Sequence, residues 1–269
     1  MQIQLGCLNR PWYNFTLEES LAGIVEAGFR YCGFISSQQE RPLIAPETAV
    51  ADLARIAAAV EQYGLTAQVL VSNTDTELPH AQAVAKLKRT VDWCQRLGLP
   101  YLILTGTHNE SKYEAWYEGT AAALDYAQER GVFVMLKAHG GNAALARDLL
   151  RAVARFDHPD FGLCYDPGNI YYYTGEKAEE DLPKVAAQVN AMCIKDETGG
   201  RHGEVSLTPG TGLVDFPRIF SILDEHGFAG PCWVECVGGA TLDEINAEAK
   251  KTYRFITDVV AAQGAREKT

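Results

Sequence analysis

The chain has 269 residues, of which 47% are hydrophobic and 22% are charged, a composition typical of ordinary globular proteins and unlike that of disordered or fibrous ones. Its 24 basic and 35 acidic residues leave a formal charge of −11, which disfavours binding to DNA or another polyanion over a broad surface. We therefore predict no nucleic-acid partner.

The apolar segments and the cysteines indicate the cellular compartment of the protein. The sequence contains no run of about 18 apolar residues that would span a bilayer, and its start, MQIQLGCLNR, lacks the basic, apolar and small-residue regions of a signal peptide. The seven cysteines lie mostly within apolar runs and form no CxxC pair, which is typical of buried, reduced thiols. We therefore expect a cytoplasmic protein without a membrane partner.

Short apolar runs alternate with segments of helical period along the whole chain, which predicts a parallel sheet with helical crossovers. The eight predicted strands are IQLGCL near residue 3, YCGFIS from Tyr31, AQVLVS from Ala67, YLILTG from Tyr101, VFVML from Val132, FGLCYD from Phe161, AMCIKD from Ala191 and PCWVEC from Pro231. Eight strand-helix pairs favour an α/β fold consisting of a single (β/α)8 TIM barrel over residues 1–269. An open doubly wound sheet is less favoured because NRPWYN, after the first strand, is no glycine-rich phosphate turn. We therefore predict no nucleotide cofactor.

Helix ends are also marked in the sequence. Thr16 and Glu19 are predicted to form a capping box at the start of the first helix, which Gly28 ends. Thr241 and Glu244 repeat the box before the last helix. Further glycines are predicted to provide left-handed caps where a helix gives way to a strand: Gly64, Gly98, Gly131 and Gly227.

Polar residues follow the last four predicted strands, at the end of a barrel where active sites collect. These strand ends read Lys137-Ala138-His139, Tyr165-Asp166-Pro167, Cys193-Ile194-Lys195-Asp196 and Trp233-Val234-Glu235-Cys236. Burying an unpaired charge in such apolar runs is costly, so we expect Lys137 and Glu235 to have partners in the barrel mouth. Two alternatives stay open: Asp166 only forms a turn, and Lys137 extends towards solvent.

Further residues are candidates for contacting a substrate. Lys195 either binds substrate or pairs with Asp196 or with loop groups, and His108 follows the fourth strand. Aromatic side chains that would stack on a sugar ring, although core packing explains them equally well, are Trp12, Tyr13 and residues 171–173. We expect His80, His158 and His226 at the surface, and the loops 38–45 and 197–213 are long enough to act as lids.

Five motifs occur in order along the second half of the chain: His139-Gly140-Gly141, Cys164-Tyr165-Asp166-Pro167-Gly168-Asn169, Ile194-Lys195-Asp196, Pro209-Gly210-Thr211-Gly212 with Asp215-Phe216, and residues 230–235. With this set the chain resembles the xylose isomerase-like barrel superfamily of sugar phosphate isomerases and epimerases, which also contains the endonuclease IV type of abasic-site nuclease. The resemblance covers nearly the whole chain and is not specific for a substrate. Considered alone, the Pro209 motif reads as a turn, because it lacks the Lys-Ser/Thr ending of a P-loop.

The resemblance also implies a divalent metal held by Glu, Asp, His and Glu at the ends of strands five to eight. Asp166 and Glu235 match two of these ligands, whereas Lys137 and Cys193 stand where a Glu and a His are expected. A protonated lysine cannot ligate a metal, while a thiolate suits Zn²⁺ better than Mn²⁺. Two arrangements stay open. Either Lys137 replaces the metal, or Mn²⁺, Mg²⁺ or Zn²⁺ is bound through His139, Asp166 and Glu235, with Cys193 as a further ligand.

The resemblance implies an isomerase or epimerase that removes a proton next to a carbonyl of a carbohydrate or polyol. Glu235 is the predicted base, Lys137 or a metal would stabilise the enediolate, and His139 would relay protons because its usual pKa lies near neutrality. The main alternative is a lyase or hydratase that acts on 3-keto sugars or glycosides by β-elimination, and the other is a non-catalytic sugar-binding barrel. A non-phosphorylated sugar is favoured because no Arg and Lys cluster follows the strands. The sequence does not determine the oligomeric state, and a homo-oligomer is compatible with it.

Overall fold

The computed structural model describes residues 1–35 and 43–266. Eight parallel strands close into a barrel in chain order, and β8 pairs with β1. The strands are β1 (Gln4–Leu8), β2 (Tyr31–Ile35), β3 (Thr66–Ser72), β4 (Tyr101–Leu104), β5 (Phe133–Lys137), β6 (Phe161–Tyr165), β7 (Val189–Ile194) and β8 (Pro231–Val234). All eight predicted strands and the TIM-barrel fold are confirmed.

Helices connect the strands on the outside of the barrel. Within the described ranges the α-helices are α1 (Leu17–Ala27), α2 (Val50–Gln62), α3 (His80–Leu97), α4 (Tyr113–Gln128), α5 (Ala146–Phe156), α6 (Pro167–Thr174), α7 (Ala178–Asp181), α8 (Phe216–Glu225) and α9 (Leu242–Arg266). None of these described helices is both long enough and apolar enough to cross a membrane. Most of the predicted lid at 38–45 lies outside the described residues.

The predicted helix caps are present. The Glu19 N–H donates to Thr16 Oγ1 over 3.1 Å, and the Thr16 N–H donates to Glu19 Oε2 over 2.8 Å. Gly28 ends α1 with a φ of 108°, a left-handed conformation that a residue with a Cβ adopts only at a cost. The predicted box before α9 also forms, since the N–H of Thr241 donates to Glu244 and the N–H of Glu244 donates to Thr241.

Side chains fill the inside of the barrel, so it is a packed core and not a pore. This inner cluster is separate from the larger one between strands and helices and consists of Leu8, Ile35, Val69, Val71, Ile103, Met135, Cys164, Ala191, Cys193 and Trp233. All seven cysteines are free and buried, as predicted. Because the interior is filled, polar chemistry is confined to the rim where the strands end.

Candidate functional site

Four charged side chains meet at the carboxyl ends of the strands and form what we call the charge cluster: Lys137, Asp166, Lys195 and Glu235. Lys137 is the last residue of β5, and the other three directly follow β6, β7 and β8. Each is at most 3% exposed. The last four strands thus converge on one buried site, as the sequence predicts.

Ion pairs hold the charge cluster together. Lys137 Nζ lies 2.5 Å from Glu235 Oε2 and 3.3 Å from Asp166 Oδ2. Lys195 Nζ lies 2.8 Å from Glu235 Oε1 and 3.7 Å from Asp166 Oδ2. Each ammonium therefore bridges both carboxylates, and each oxygen of Glu235 has its own lysine. Neither lysine extends to solvent, and Lys195 pairs with these two carboxylates.

Local sequence explains how Asp166 reaches the rim. Pro167 has no N–H to extend β6 and fits the first position of α6. The Asp166 side chain caps that helix, because its Oδ1 accepts the Asn169 N–H over 3.0 Å. Asp166 thus has both roles: Oδ1 caps α6 and Oδ2 faces the lysines of the charge cluster.

Asn169 is a residue of the site to which the sequence analysis assigned no role. Its Oδ1 accepts a hydrogen bond from Lys195 Nζ over 3.2 Å, and its Nδ2 donates to the Ala138 carbonyl over 2.8 Å. Asn169 therefore ties α6 to the end of β5 and orients Lys195. The sequence feature that could have identified Asn169 is its place in the Asp-Pro-Gly-Asn motif. This motif starts a buried helix, and a polar side chain that is buried there needs a hydrogen-bond partner.

The two carboxylates differ in proton affinity. Burial opposes ionisation of Glu235, but Lys137, Lys195 and Arg10 together hold its pKa well below the usual value. Burial raises the pKa of Asp166, and Lys195 and Lys137 only partly offset this increase. The cause is geometric, since the lysines lie closer to Glu235, and Asp166 Oδ2 accepts no hydrogen bond within the described structure. Asp166 is therefore the carboxyl of the pair that protonates more readily.

His139 lies beside the charge cluster in an aromatic group with His108 and Tyr173. Its Nε2 lies 3.3 Å from the Tyr173 hydroxyl, and the ring centroids of the two histidines are 5.7 Å apart. Burial, followed by the charges of Lys137 and Lys195, lowers the pKa of His139 well below its usual value. His139 is therefore a neutral imidazole at neutral pH. Burial also lowers the pKa of His108, which lies at the exposed edge of this group.

Trp12 and Tyr13, adjacent in sequence, have different environments. Trp12 is 1% exposed, and its Nε1 donates to Asn246 Oδ1 of α9 over 2.8 Å. A Cβ on Gly23 of α1 would lie 2.7 Å from the same indole nitrogen. Trp12 is thus packed against α1 and α9. Tyr13 is 58% exposed.

A cavity of about 460 Å³ adjoins the charge cluster through Cys236 and Arg10, although none of the four charge-cluster side chains is among its described lining. Half of its twelve described lining residues are aliphatic, proline or glycine, and its polar or aromatic members are Arg10, Tyr13, Asn14, Phe15, Ser206 and Cys236. Cys236 directly follows Glu235 and accepts a hydrogen bond from the Arg10 guanidinium. Burial opposes protonation of Arg10, but Cys236, Glu235 and Asp166 raise its pKa. No role was predicted for Arg10 from the sequence, although it lies only two residues beyond the end of β1, at the rim where active sites collect.

The segment after β7 and three histidines complete the set of residues singled out in the sequence. The Asp196 carboxylate accepts the N–H groups of Gly210 and Gly212, each over 2.8 Å, so this segment is a turn, as predicted. The loop 197–213 is therefore anchored at the rim. His80 and His226 are exposed, as expected, whereas His158 is half-buried against Asp125.

The charge cluster does not fit a divalent metal. Across residues 1–35 and 43–266, one group of three side chains offers ligand atoms within 4.8 Å of one another: Asp166, Cys193 and Glu235. His139 is not in this group. Both carboxylates are already paired with ammonium groups that would repel a cation. Contact with Cys164 and burial raise the pKa of the Cys193 thiol well above its usual value.

Comparisons with known proteins agree with the fold. An inosose dehydratase from Serratia proteamaculans is 27% identical over 57% of this chain and 59% of its own length. An L-ribulose-5-phosphate 3-epimerase from Escherichia coli is 22% identical over 72% of this chain and 69% of its own length. The chain spans between 48% and 59% of the length of four inosose dehydratases that it matches.

A solved structure shows the same architecture. D-psicose 3-epimerase from Clostridium cellulolyticum, determined with D-tagatose, superposes with a TM-score of 0.76 at 13% identity. The superposition covers 96% of this chain and 99% of that one. The model of the xylose isomerase-like TIM barrel family matches residues 21–259. The chain therefore belongs to the xylose isomerase-like TIM barrel family.

Proposed function

We propose that the protein is a carbohydrate isomerase or epimerase that moves a proton at the carbon next to a carbonyl. The observation that carries this proposal is the charge cluster, which sets two carboxylates against two ammonium groups beside a cavity. Enolisation needs a base for the carbon-bound proton and a cation for the oxygen that becomes negative. The epimerases among the relatives support this class of reaction.

Lys137 and Glu235 exchange partners in the proposed reaction. In the structure, Lys137 Nζ donates to Glu235 Oε2 over 2.5 Å. A substrate carbonyl oxygen that accepts from Lys137 instead would leave Oε2 without this donor and thereby increase the basicity of Glu235. Glu235 then removes the proton, while the ammonium stabilises the enediolate oxygen in surroundings that are largely shielded from water.

Asp166 and His139 return protons in this proposal. Two carboxyl groups with opposite pKa shifts indicate an acid and a base, and Asp166 has the raised pKa. Asp166 is therefore the acid of the pair, and its protonated form donates the proton that returns to carbon. The neutral His139 passes protons between substrate oxygens, since an imidazole both donates and accepts hydrogen bonds. His108 and Lys195 contact the sugar hydroxyls.

The cavity fits an unphosphorylated sugar. Its volume of about 460 Å³ is within the range of roughly 300–1,000 Å³ that is usual for ligand pockets. Tyr13 exposes its ring there and is the aromatic side chain that we assign to stacking on the sugar. Arg10 is the cation among the described lining residues and is engaged with Cys236, whereas a phosphate usually binds several cationic or N–H donors.

Dehydration of a keto sugar is the second candidate. The inosose dehydratases among the relatives favour it. The reaction would begin with the same proton removal by Glu235. The enediolate would then expel the hydroxyl group at the next carbon, which leaves as water after taking a proton from the protonated form of Asp166.

Deuterium transfer from solvent distinguishes these candidates. The protein is incubated in D₂O with unphosphorylated ketohexoses and, separately, with inosose, and the products are followed by NMR. An inverted ketose with deuterium beside its carbonyl supports the isomerase or epimerase. A dehydrated product from inosose supports the second candidate.

Two variants control the assay. Glu235→Gln should lose activity, whereas Glu118→Gln, at an exposed site on α4, should retain it. Sugar binding by the wild type without turnover, unchanged by Glu235→Gln, would instead indicate a non-catalytic sugar-binding barrel.

A further inference from the structure

We propose that the Lys137 ammonium takes the place of a divalent metal in this barrel, so that proton transfer proceeds without a metal ion. The inference rests on the proposed function for its chemistry, but its central claim concerns cation binding. The three potential metal ligands lie within 4.8 Å of one another, and Lys137 Nζ is paired with two of them. The site thus already holds a cation.

The position of Lys137 is fixed by the barrel. It is the last residue of β5 and 1% exposed, so its ammonium group is held among the buried carboxylates at the rim. Its ammonium group lies 2.5 Å from Glu235 Oε2 and 3.3 Å from Asp166 Oδ2, so two buried carboxylates hold it in place. Removing Lys137 from the carboxylates to admit a metal would leave the ammonium buried without a partner.

Charge balance leads to the same conclusion. Lys137 and Lys195 match Asp166 and Glu235 one for one, so the ionised charge cluster has no net charge. A divalent ion would leave two uncompensated positive charges in a buried site. An ammonium supplies three N–H donors, which suffice to stabilise a developing enediolate oxygen without coordination.

Metal binding by the wild-type protein is the first test. The metal content of purified protein is measured, and the chelated protein is titrated calorimetrically with Zn²⁺ and with Mn²⁺. We expect no stoichiometric metal and no saturable binding, and turnover should be unchanged after chelation. A stoichiometric ion, or turnover lost on chelation and restored by Mn²⁺, would overturn the inference.

Variants of Lys137 are the second test. Lys137→Glu replaces the cation with a ligand, and we expect Zn²⁺ to bind at least about tenfold more tightly than to wild type. Lys137→Met is the second variant, for use if Lys137→Glu does not fold. It removes the ammonium group and leaves the three potential ligands Asp166, Cys193 and Glu235 in place. Lys250→Glu makes the same charge change at an exposed site of α9 and should gain no site. Folded Lys137 variants that gain no affinity would overturn the claim that Lys137 excludes the metal.

The readouts keep the two proposals separate. Wild-type protein that binds no metal and moves no deuterium would contradict the proposed function alone, since the binding data still support Lys137 as the resident cation. Turnover that requires an added metal would contradict the inference alone.

Discussion

Lys137 Nζ and Glu235 Oε2 are 2.5 Å apart, although 98 positions separate the two residues in the sequence. Lys137 ends β5 and Glu235 follows β8, so the contact crosses the mouth of the barrel between strands that are not neighbours. Both side chains are at most 1% exposed. The pair can therefore form only when the barrel is closed, because closure brings the ends of β5 and β8 together.

Removing one member of this pair should destabilise the fold. We expect Lys137→Met to lower the free energy of unfolding by about 3–5 kcal/mol, because it leaves buried carboxylate charge without its partner. Urea unfolding monitored by circular dichroism measures the change. The control is Arg155→Met, whose exposed pair with Glu114 spans 2.6 Å and should contribute far less to stability, because water screens it.

A double variant tests whether the cost comes from the orphaned charge. Lys137→Met combined with Glu235→Met should be more stable than the sum of the two single effects predicts, because neither unpaired charge remains. Strict additivity in the same urea experiment would contradict the ion-pair explanation.

Acid should destabilise the protein partly through His139. Its pKa in the fold lies well below the usual value, so the unfolded chain binds the proton more readily and stability falls as the pH drops below about 6.5. We expect His139→Gln to flatten the decrease in the free energy of unfolding below that pH. His80→Gln, at an exposed site, is the control and should follow wild type. Identical slopes for wild type and His139→Gln would refute this assignment.

Gly140 is expected to resist substitution for two separable reasons. Its φ is 73°, and a Cβ would lie 2.7 Å from His108 and 2.8 Å from Tyr173. Gly64 has a φ of 64° and would place a Cβ in open space, so Gly64→Ala measures backbone strain alone, on the order of 1 kcal/mol. Gly140→Ala should cost more than this in thermal unfolding and should also lower turnover. An equal loss of stability in Gly140→Ala and Gly64→Ala would mean that His108 and Tyr173 move aside without an energetic cost.

Trp12 and Tyr13 should respond oppositely to removal of the ring. Trp12→Ala empties a core position and should cost about 3–5 kcal/mol of stability. Tyr13→Ala changes an exposed ring at the cavity, so stability should change by about 0.5 kcal/mol or less while KM for the sugar rises. Urea unfolding and steady-state kinetics on the same two variants measure both effects. An unchanged KM for Tyr13→Ala would remove Tyr13 from the substrate site.

The sequence by itself determined the eight strands, the helix caps and the buried thiols, because each follows from patterns within a few residues. Alternation of apolar runs and helical segments predicted the barrel, and the barrel in turn predicted that the last four strands would present their polar ends together. Lys137, Asp166 and Glu235 were identified in this way, since charges that interrupt apolar runs require partners.

Only the tertiary structure decided which partners these charges have. Lys195 was expected to bind substrate or to pair with Asp196 or loop groups, yet Asp196 anchors the turn at Gly210 while Lys195 pairs with Glu235. Trp12 is buried against α1 and α9, whereas its neighbour Tyr13 lines the cavity. The partner of each side chain depends on the distances between strands and helices that are far apart in the sequence. Closure of the barrel fixes these distances, and no periodic pattern in the sequence encodes them.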